Sequence, residues 1–250
     1  MHAAPFLTSL LLAAAGAAFA QPDAPAVEEI VARANRAAYY QGRSGRAKVA
    51  MAIQDSQGRS RTREFTMLRL DLEPANDTTD SFTGNQKFYV YFERPADVHK
   101  TAYLVHKHVG KDDDRWLFLP GLNLLKRIAA SDTRTSFVGS DYFYEDVSGR
   151  NPDADHHELV ETTDTYFVLR NRPKDPATVE FASYTMWIHK TSFTPIKAEY
   201  YDDKGALIRD MQALEVKPIQ GYPTVTRSMM KDHRTGSTTT ITYSRVEYNL

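Results

Sequence analysis

From about residue 46 to the end of the chain, apolar and polar residues alternate in short segments that turn residues separate. A period of two is typical of β-strands whose two faces meet different surroundings. Many short strands at regular spacing, with few helices, favour a long antiparallel meander. The predicted strands are 46–54, 60–72, 86–94, 101–109, 115–119, 124–129, 157–162, 165–171, 183–190, 195–202, 206–216, 222–231 and 238–248.

Two segments depart from this pattern and predict helix. Residues 25–40 place apolar side chains on one helical face, begin with a proline and end before Gly42, as an amphipathic helix does. Residues 140–147 predict a helical turn with Ser140 as its N-terminal cap. A helix with so narrow an apolar face must dock on the sheet to be stable.

Several strands are apolar on both faces, although an antiparallel strand with one face in water should alternate. Something must therefore cover each face. A curved sheet with a hydrophobic hollow, lidded by the helices, satisfies this pattern, and so does a two-sheet sandwich with surface aromatics. If there is a hollow, its expected lining comes from one face of 86–94 or one face of 115–119, namely Phe88, Val90, Phe92, Trp116 and Phe118.

The first twenty residues resemble a secretory leader. An apolar run from Phe6 to Phe19 ends in Ala18-Phe19-Ala20, a small-residue cleavage site before Gln21. The run is too short to span a membrane. We expect residues 1–20 to be removed and residues 21–250 to form a single domain. The chain has no cysteine, so the mature protein should carry no lipid anchor.

Composition and motifs argue against several classes of function. With 31 basic and 32 acidic residues, the chain has a formal charge of −1 and no electrostatic footprint for nucleic acid. Gly139-Ser140-Asp141 is not a nucleophile elbow, and no phosphate loop is present. We therefore expect no enzyme activity, no catalytic residue and no cofactor.

A metal site is a weaker possibility that the sequence raises at one place. His106 and His108 share a strand face and precede three aspartates, 112–114. A solvated strand end that runs into an acidic turn explains the same residues, and it is the interpretation we adopt. No metal site is predicted.

Residues 113–146 carry the most specific pattern in the chain. Trp116-Leu117-Phe118-Leu119-Pro120 is followed by Arg127-Ile128 and then by a segment rich in aromatic and acidic residues. This order resembles the periplasmic outer-membrane lipoprotein-sorting proteins of the LolA/LolB-like superfamily. One departure is His99-Lys100-Thr101, which falls where relatives tend to have a glycine before the strand. The residues that match the motif are Pro120, Arg127, Ser136, Phe137, Gly139, Asp141, Tyr144 and Asp146.

The resemblance implies a mainly β (α+β) fold, a single strongly curved antiparallel half-barrel sheet with helices covering its concave side. It also implies a soluble periplasmic carrier that binds lipid or lipoprotein acyl chains in a hydrophobic hollow. Some relatives serve RND/MMPL-type exporters, so an inner-membrane exporter and an outer-membrane acceptor are the expected partners. The alternative is a periplasmic sensor or adaptor of the RseB type that regulates a membrane partner.

Overall fold

The computed structural model describes residues 25–72 and 84–250; the predicted leader and Gln21 lie outside these ranges. One long helix, α1 (Val27–Tyr39), precedes the strands, and a short helix, α2 (Tyr144–Ser148), lies between the sixth and the seventh. The strands are β1 (Ser44–Gln54), β2 (Ser60–Asp71), β3 (Gln86–Arg94), β4 (Ala102–Lys107), β5 (Asp114–Leu119), β6 (Leu124–Ile128), β7 (Asp155–Thr162), β8 (Tyr166–Pro173), β9 (Ser183–His189), β10 (Pro195–Tyr201), β11 (Leu207–Ile219), β12 (Tyr222–Asp232) and β13 (Ser237–Tyr248).

All these strands belong to one antiparallel sheet that does not close into a barrel. Its order is β6-β5-β4-β3-β2-β1-β13-β12-β11-β10-β9-β8-β7. Two meanders, β1–β6 and β7–β13, therefore meet in the middle, where β1 pairs with β13 and Val49 lies opposite Tyr243. The consecutive strands β6 and β7 lie at opposite edges, so the single long meander expected from the sequence is in fact two.

The sheet is a strongly curved half-barrel with its core on the concave face. Along β3 the burial alternates, and Phe88, Val90 and Phe92 are buried while their neighbours are only half-buried or exposed. The mainly β fold with a curved, open sheet confirms the prediction from the family resemblance and excludes the two-sheet sandwich.

The chain passes from β6 to β7 through residues 129–154, which we call the crossing segment. Because β6 and β7 lie at opposite edges, this segment runs over the concave face and covers it. Phe137 in its middle is fully buried, and Asp141 accepts hydrogen bonds from Thr239 Oγ1 (2.6 Å) and Ser237 Oγ on β13. The segment is thus fixed to the centre of the sheet.

The short helix in the crossing segment begins later than predicted. The residue that precedes α2 is Phe143, and its backbone N–H donates to the Asp146 carboxylate at 2.7 Å. Ser140 is not its cap, because its hydroxyl instead donates to the carbonyls of Phe137 and Tyr142 in a tight turn. The side chain thus serves the loop before the helix.

The N-terminal helix docks on the concave face of the other half of the sheet. Ile30 and Ala34 are buried against Phe167, Leu169 and Ile188 of β8 and β9. The helix ends over the crossing segment, where the Tyr39 hydroxyl donates to the Asp146 carbonyl at 3.3 Å. Within the described residues, no helix is long and apolar enough to span a bilayer.

Where α1 and α2 end, the backbone comes close to a buried lysine. Gly149 follows α2 with φ +89°, and a side chain there would meet Lys107 Nζ at 2.9 Å and the Tyr39 ring at 3.1 Å. Lys107 Nζ donates to the Ser148 carbonyl at 2.7 Å. Burial lowers the pKa of Lys107 to about 8. Both the backbone angle and the limited space favour glycine at 149.

Candidate functional site: a cavity on the concave face

A cavity of about 370 Å³ lies between the sheet, α1 and the crossing segment. This size falls within the range of ligand sites in proteins, roughly 300–1,000 Å³. The cavity has three walls. The sheet contributes Met67, Phe88, Met186, Met211 and Tyr243; α1 contributes Val31, Ala34, Asn35, Ala37 and Ala38; the crossing segment contributes Phe137, Tyr142 and Val147.

Small side chains on α1 explain why a cavity remains. Three of the five α1 residues named above are alanines, at positions 34, 37 and 38. A methyl group reaches only a short distance from the helix, so these alanines leave part of the space between α1 and the sheet unfilled. The helix covers the concave face without filling it.

Methionine and aromatic side chains form most of the opposite wall. Met67, Met186 and Met211 are unbranched and polarizable, and such side chains adapt to ligands of irregular shape. This wall is therefore suited to a flexible apolar ligand rather than to one rigid shape.

The sequence singled out five residues as lining, and the structure places them in three environments. Phe88 borders the cavity. Val90 and Phe92, on the same face of β3, are fully buried in the packed core beside it. Trp116 and Phe118 are half-buried and lie on the convex face of β5, because Arg115 and Leu117 occupy its concave face.

Some charged residues contribute to the cavity wall, and their charges are paired within the protein, in part with residues behind the wall. Arg209 is fully buried and contacts the carboxylates of Asp146 and Glu180. Arg134 bonds Glu180 and, at 2.9 Å, Glu145. We call these five residues, together with Arg150 and Asp155, the arginine–carboxylate network.

This network joins the crossing segment to the far half of the sheet. Arg150, just beyond α2, makes two hydrogen bonds of 2.8 Å to Asp155 of β7. Asp155 also accepts from the Tyr184 hydroxyl of β9 at 2.9 Å. Since each charge has a partner of opposite sign, the network serves as a clamp and offers little to an ionic ligand.

Asp146 is the buried carboxylate at the centre of the network. Burial raises the pKa of this carboxyl, but Arg209, Arg134 and the Phe143 N–H outweigh that effect and hold the pKa below its ordinary value. Asp146 is therefore ionised at neutral pH, and its charge is needed to neutralise Arg209.

Most residues of the family-like motif hold the crossing segment in place. Phe137 and Tyr144 pack with centroids 5.5 Å apart, and Ser136 Oγ donates to the Ser140 carbonyl at 2.6 Å. Gly139 turns the chain with φ +79°. Asp141 and Asp146 bond β13 and β11 as described above. The contacts of these motif residues fix the position of the crossing segment on the sheet.

The remaining two motif residues belong to the β5–β6 hairpin. Pro120 begins a 3-10 turn, Pro120–Leu122, and Arg127 on β6 bonds Asp114 across the hairpin. They lie outside the cavity.

Two polar atoms on the cavity wall have no hydrogen-bond partner, Thr194 Oγ1 and Gln41 Oε1. Thr194 is only 1% exposed. An unpaired buried hydroxyl is unfavourable, and a ligand with a polar group could satisfy it. The cavity is thus mostly apolar with a few polar atoms on its walls.

His106 and His108, the two histidines considered above as metal ligands, contact other side chains. His108 Nε2 lies 3.1 Å from Asp114 Oδ2, and the His106 ring packs edge-on against Trp116 at 5.3 Å. Among the described residues, no group of three or more side chains is arranged to hold a metal ion.

Sequence reasoning placed α1 alanines on the apolar face of the helix, but it predicted neither their place in a cavity wall nor the arginine–carboxylate network. Arg134, Glu180 and Arg209 are far apart in the chain, and none lies in a recognisable motif. The one available indication was Arg209-Asp210 between the apolar residues Ile208 and Met211, and a strand carrying such a pair is as easily explained by a solvated face.

Several solved structures share this architecture. A DUF1329 family protein from Desulfovibrio piger superposes with a TM-score of 0.77 at 26% identity, over 89% of this chain and 91% of that one. A domain from Vibrio parahaemolyticus, named for outer membrane lipoprotein sorting, gives 0.74 at 28% identity, over 89% and 90%. A LolA superfamily protein from Nitrosomonas europaea gives 0.66 at 21% identity, over 91% and 95%.

These similarities and the open, helix-covered half-barrel define a protein with the LolA-type fold. The DUF1329 family model, described as a family of uncharacterized proteins, matches residues 84–250. The chain therefore belongs to the DUF1329 family. No curated protein matches it.

Proposed function

We propose that this protein is a soluble periplasmic carrier, of the outer-membrane lipoprotein-sorting type, that binds an acyl chain of a lipid or lipoprotein in the concave cavity. The apolar cavity between α1, the sheet and the crossing segment is the observation that carries the proposal. The LolA-type fold and the predicted leader support it. Receipt of cargo from an inner-membrane exporter and delivery to an outer-membrane acceptor belong to the same proposal.

The walls of the cavity favour an apolar ligand over an ionic one. Methionines, aromatics and alanines form most of its surface, while each charged group of the arginine–carboxylate network already has a partner of opposite sign. An acyl chain gains by leaving water and needs no counter-charge. Because apolar side chains form most of the cavity wall, the function we assign to it is binding.

The expected affinity is moderate. An acyl chain of about 14 methylenes gains on the order of 11 kcal/mol when it is buried, at ~0.8 kcal/mol for each methylene. Association and ordering remove several kcal/mol of this. A dissociation constant that is roughly micromolar follows, which suits a carrier that must also release its cargo.

The test is to fill the cavity from the helix side. Ala37→Phe places a ring in the cavity, and Ala32→Phe on the exposed face of the same helix is the matched control. We expect Ala37→Phe to weaken binding of a fluorescent fatty-acid probe by at least roughly tenfold, as a loss of ~1.4 kcal/mol would. The control should bind as the unmodified protein does.

Thermal melts would show that both variants fold. Mass spectrometry of lipid extracted from the purified protein would identify a natural cargo. If the unmodified protein binds no acyl probe at tens of micromolar, the carrier function is wrong, and a sensor or adaptor of a membrane partner becomes the better proposal.

A further inference from the structure

The hairpin that joins β5 to β6 exposes three leucines close together. Leu122 at its tip is 73% exposed, Leu125 is 64% exposed and Leu124 is 44% exposed. Singly exposed apolar residues are ordinary, but a cluster of large ones marks a surface that contacts something else. In the part of the chain that the structure describes, nothing covers them.

These leucines point in different directions. Leu124 and Leu125 are adjacent on a strand, so their side chains project from opposite faces of the hairpin, and Leu122 lies on the 3-10 turn between the strands. A flat protein surface could cover one face of the hairpin but not both faces and the tip. A medium that surrounds the hairpin could cover all three.

Basic residues follow the leucines at once. Lys126 is exposed, and the Arg127 side chain is 70% exposed although it pairs with Asp114. They too project from opposite faces. Apolar side chains flanked by Lys and Arg are the combination that binds anionic lipid surfaces. The whole chain has a charge of only −1, so any such attraction is local to this hairpin.

Aromatic side chains lie next to the leucines on the convex face. Phe118 is opposite Leu125, and Trp116 is opposite Arg127. Both are half-buried. Trp in particular is favoured at the level of lipid headgroups, where its ring is apolar and its N–H can remain hydrated.

We propose that the β5–β6 hairpin, Pro120 to Ile128, docks on an anionic membrane surface with its leucines in the boundary between headgroups and acyl chains. β6 is an edge strand, so one row of its backbone groups has no partner in the sheet. Unpaired backbone groups are excluded from hydrocarbon. Insertion is therefore shallow and limited to the tip. This docking does not depend on what the cavity binds.

Flotation with vesicles tests the docking. We expect the mature protein to float with vesicles of phosphatidylethanolamine and phosphatidylglycerol and much less with phosphatidylcholine. Leu122→Ser with Leu125→Ser should weaken partitioning by roughly a hundredfold, because each leucine loses at least about a tenfold contribution from burial. Leu214→Ser with Val216→Ser is the matched control, since both residues are about as apolar and lie exposed on β11 in the other half of the sheet.

A separate variant tests how much the positive charge of the hairpin contributes to membrane binding. Lys126→Gln should weaken binding to the phosphatidylglycerol vesicles by about fivefold, as expected for one basic residue near an anionic surface. The same variant should not change binding to phosphatidylcholine.

A direct readout uses the absence of cysteine from the chain. An environment-sensitive dye on Leu122→Cys should shift to the blue when anionic vesicles are added, and the same dye on Leu214→Cys should not. Failure of the unmodified protein to float, or equal losses in the leucine and control variants, would overturn the proposal. The acyl-probe titration, performed without vesicles, would be unaffected by either outcome.

Discussion

The concave face of this sheet is covered in two different ways, and the two covers give opposite results. Over β2–β5 the crossing segment packs solidly: the Phe137 ring lies 5.8 Å from that of Phe92 and 5.6 Å from that of Tyr103. Next to this aromatic cluster, α1 covers the face with alanines and leaves about 370 Å³ empty.

The difference shows that the size of the covering side chains decides whether a curved sheet has a core or a binding site. Aromatic rings on an irregular segment can reach down to the sheet, and they fill the space to native density. A regular helix stands off from a curved surface, and small residues on its inner face leave that gap open. The same sheet can therefore be tightly packed in one region and border a cavity in the region beside it.

The largest expected loss of stability comes from breaking the arginine–carboxylate network, which joins the crossing segment to the far half of the sheet. Arg209→Ala leaves the buried Asp146 carboxylate without its main partner, and we expect a loss of about 3–5 kcal/mol in the free energy of unfolding. Urea denaturation measures it. Arg227→Ala, at an exposed position on β12, should change the stability by less than about 0.5 kcal/mol. Equal losses would mean that the network is not a clamp.

Two residues of β3 test most directly the difference between the packed core and the cavity, because Phe92 lies in the core and Phe88 borders the cavity. Phe92→Ala should destabilise the protein by about 3–5 kcal/mol, as in other packed cores, while the folded fraction binds an acyl probe as before. Phe88 borders the cavity, so Phe88→Ala should destabilise the protein less than Phe92→Ala does and should weaken binding of the acyl probe more. Trp116→Ala on the convex face is the control and should leave binding in the cavity unchanged.

Thermal melts and probe titrations on the same samples separate these outcomes. If Trp116→Ala weakens acyl binding as much as Phe88→Ala does, the ligand contacts the convex face, and the concave cavity is not the main site.

Two glycines of the crossing segment sharpen the contrast between crowded and open positions. Gly139→Ala should destabilise by about 1–2 kcal/mol, because φ is positive there but no atom lies within 4 Å of the new methyl group. Gly149→Ala adds the close approach to Lys107 and Tyr39 and should lose about 1–3 kcal/mol more. Similar losses at both positions would show that the contact at Gly149 relaxes freely.

The smallest expected effect is the pH dependence that Asp146 of the arginine–carboxylate network gives to the free energy of unfolding. The folded pKa of Asp146 is below its ordinary value, so between that pKa and about 4, the usual value for Asp, the unfolded chain binds more protons. Asp146 thus contributes stability that is present above about pH 4 and lost as the pH falls through the folded pKa. Asp146→Asn should show a shallower decline than the unmodified protein in acid denaturation.

Much of the fold was predictable because strand alternation and turn chemistry are local. The predicted strands overlap all thirteen observed ones, and β3 was predicted with its observed bounds. The order of the strands was not predictable in this way. That β6 and β7 lie at opposite edges depends on how the crossing segment packs, and that packing involves residues far apart in sequence.

The orientation of the side chains on β5 shows why residues of a binding site are harder to predict from the sequence than strands are. Trp116 and Phe118 are the larger apolar residues, yet Arg115 and Leu117 face the concave side. Arg115 is buried there because Asp113 bonds it at 2.7 Å. Where a strand is apolar on both faces, a buried ion pair can reverse the expected orientation.

The backbone at Lys100 is left-handed, with φ +66°, and it lies in the stretch 99–101 that departs from the motif of the family resemblance. The resemblance implied a glycine there, and glycine adopts this conformation without steric cost. The lysine tolerates the same backbone geometry here.

The pairing of β1 with β13 sets the order in which this sheet can be completed. Hairpins within each meander join neighbours in the chain, whereas the central pairing must wait until the last strand has been synthesised. Until then, β1 presents an unpaired edge of eleven residues, and such edges pair readily with other chains. The strand that lies in the middle of the finished sheet is consequently open to mispairing until the chain is complete.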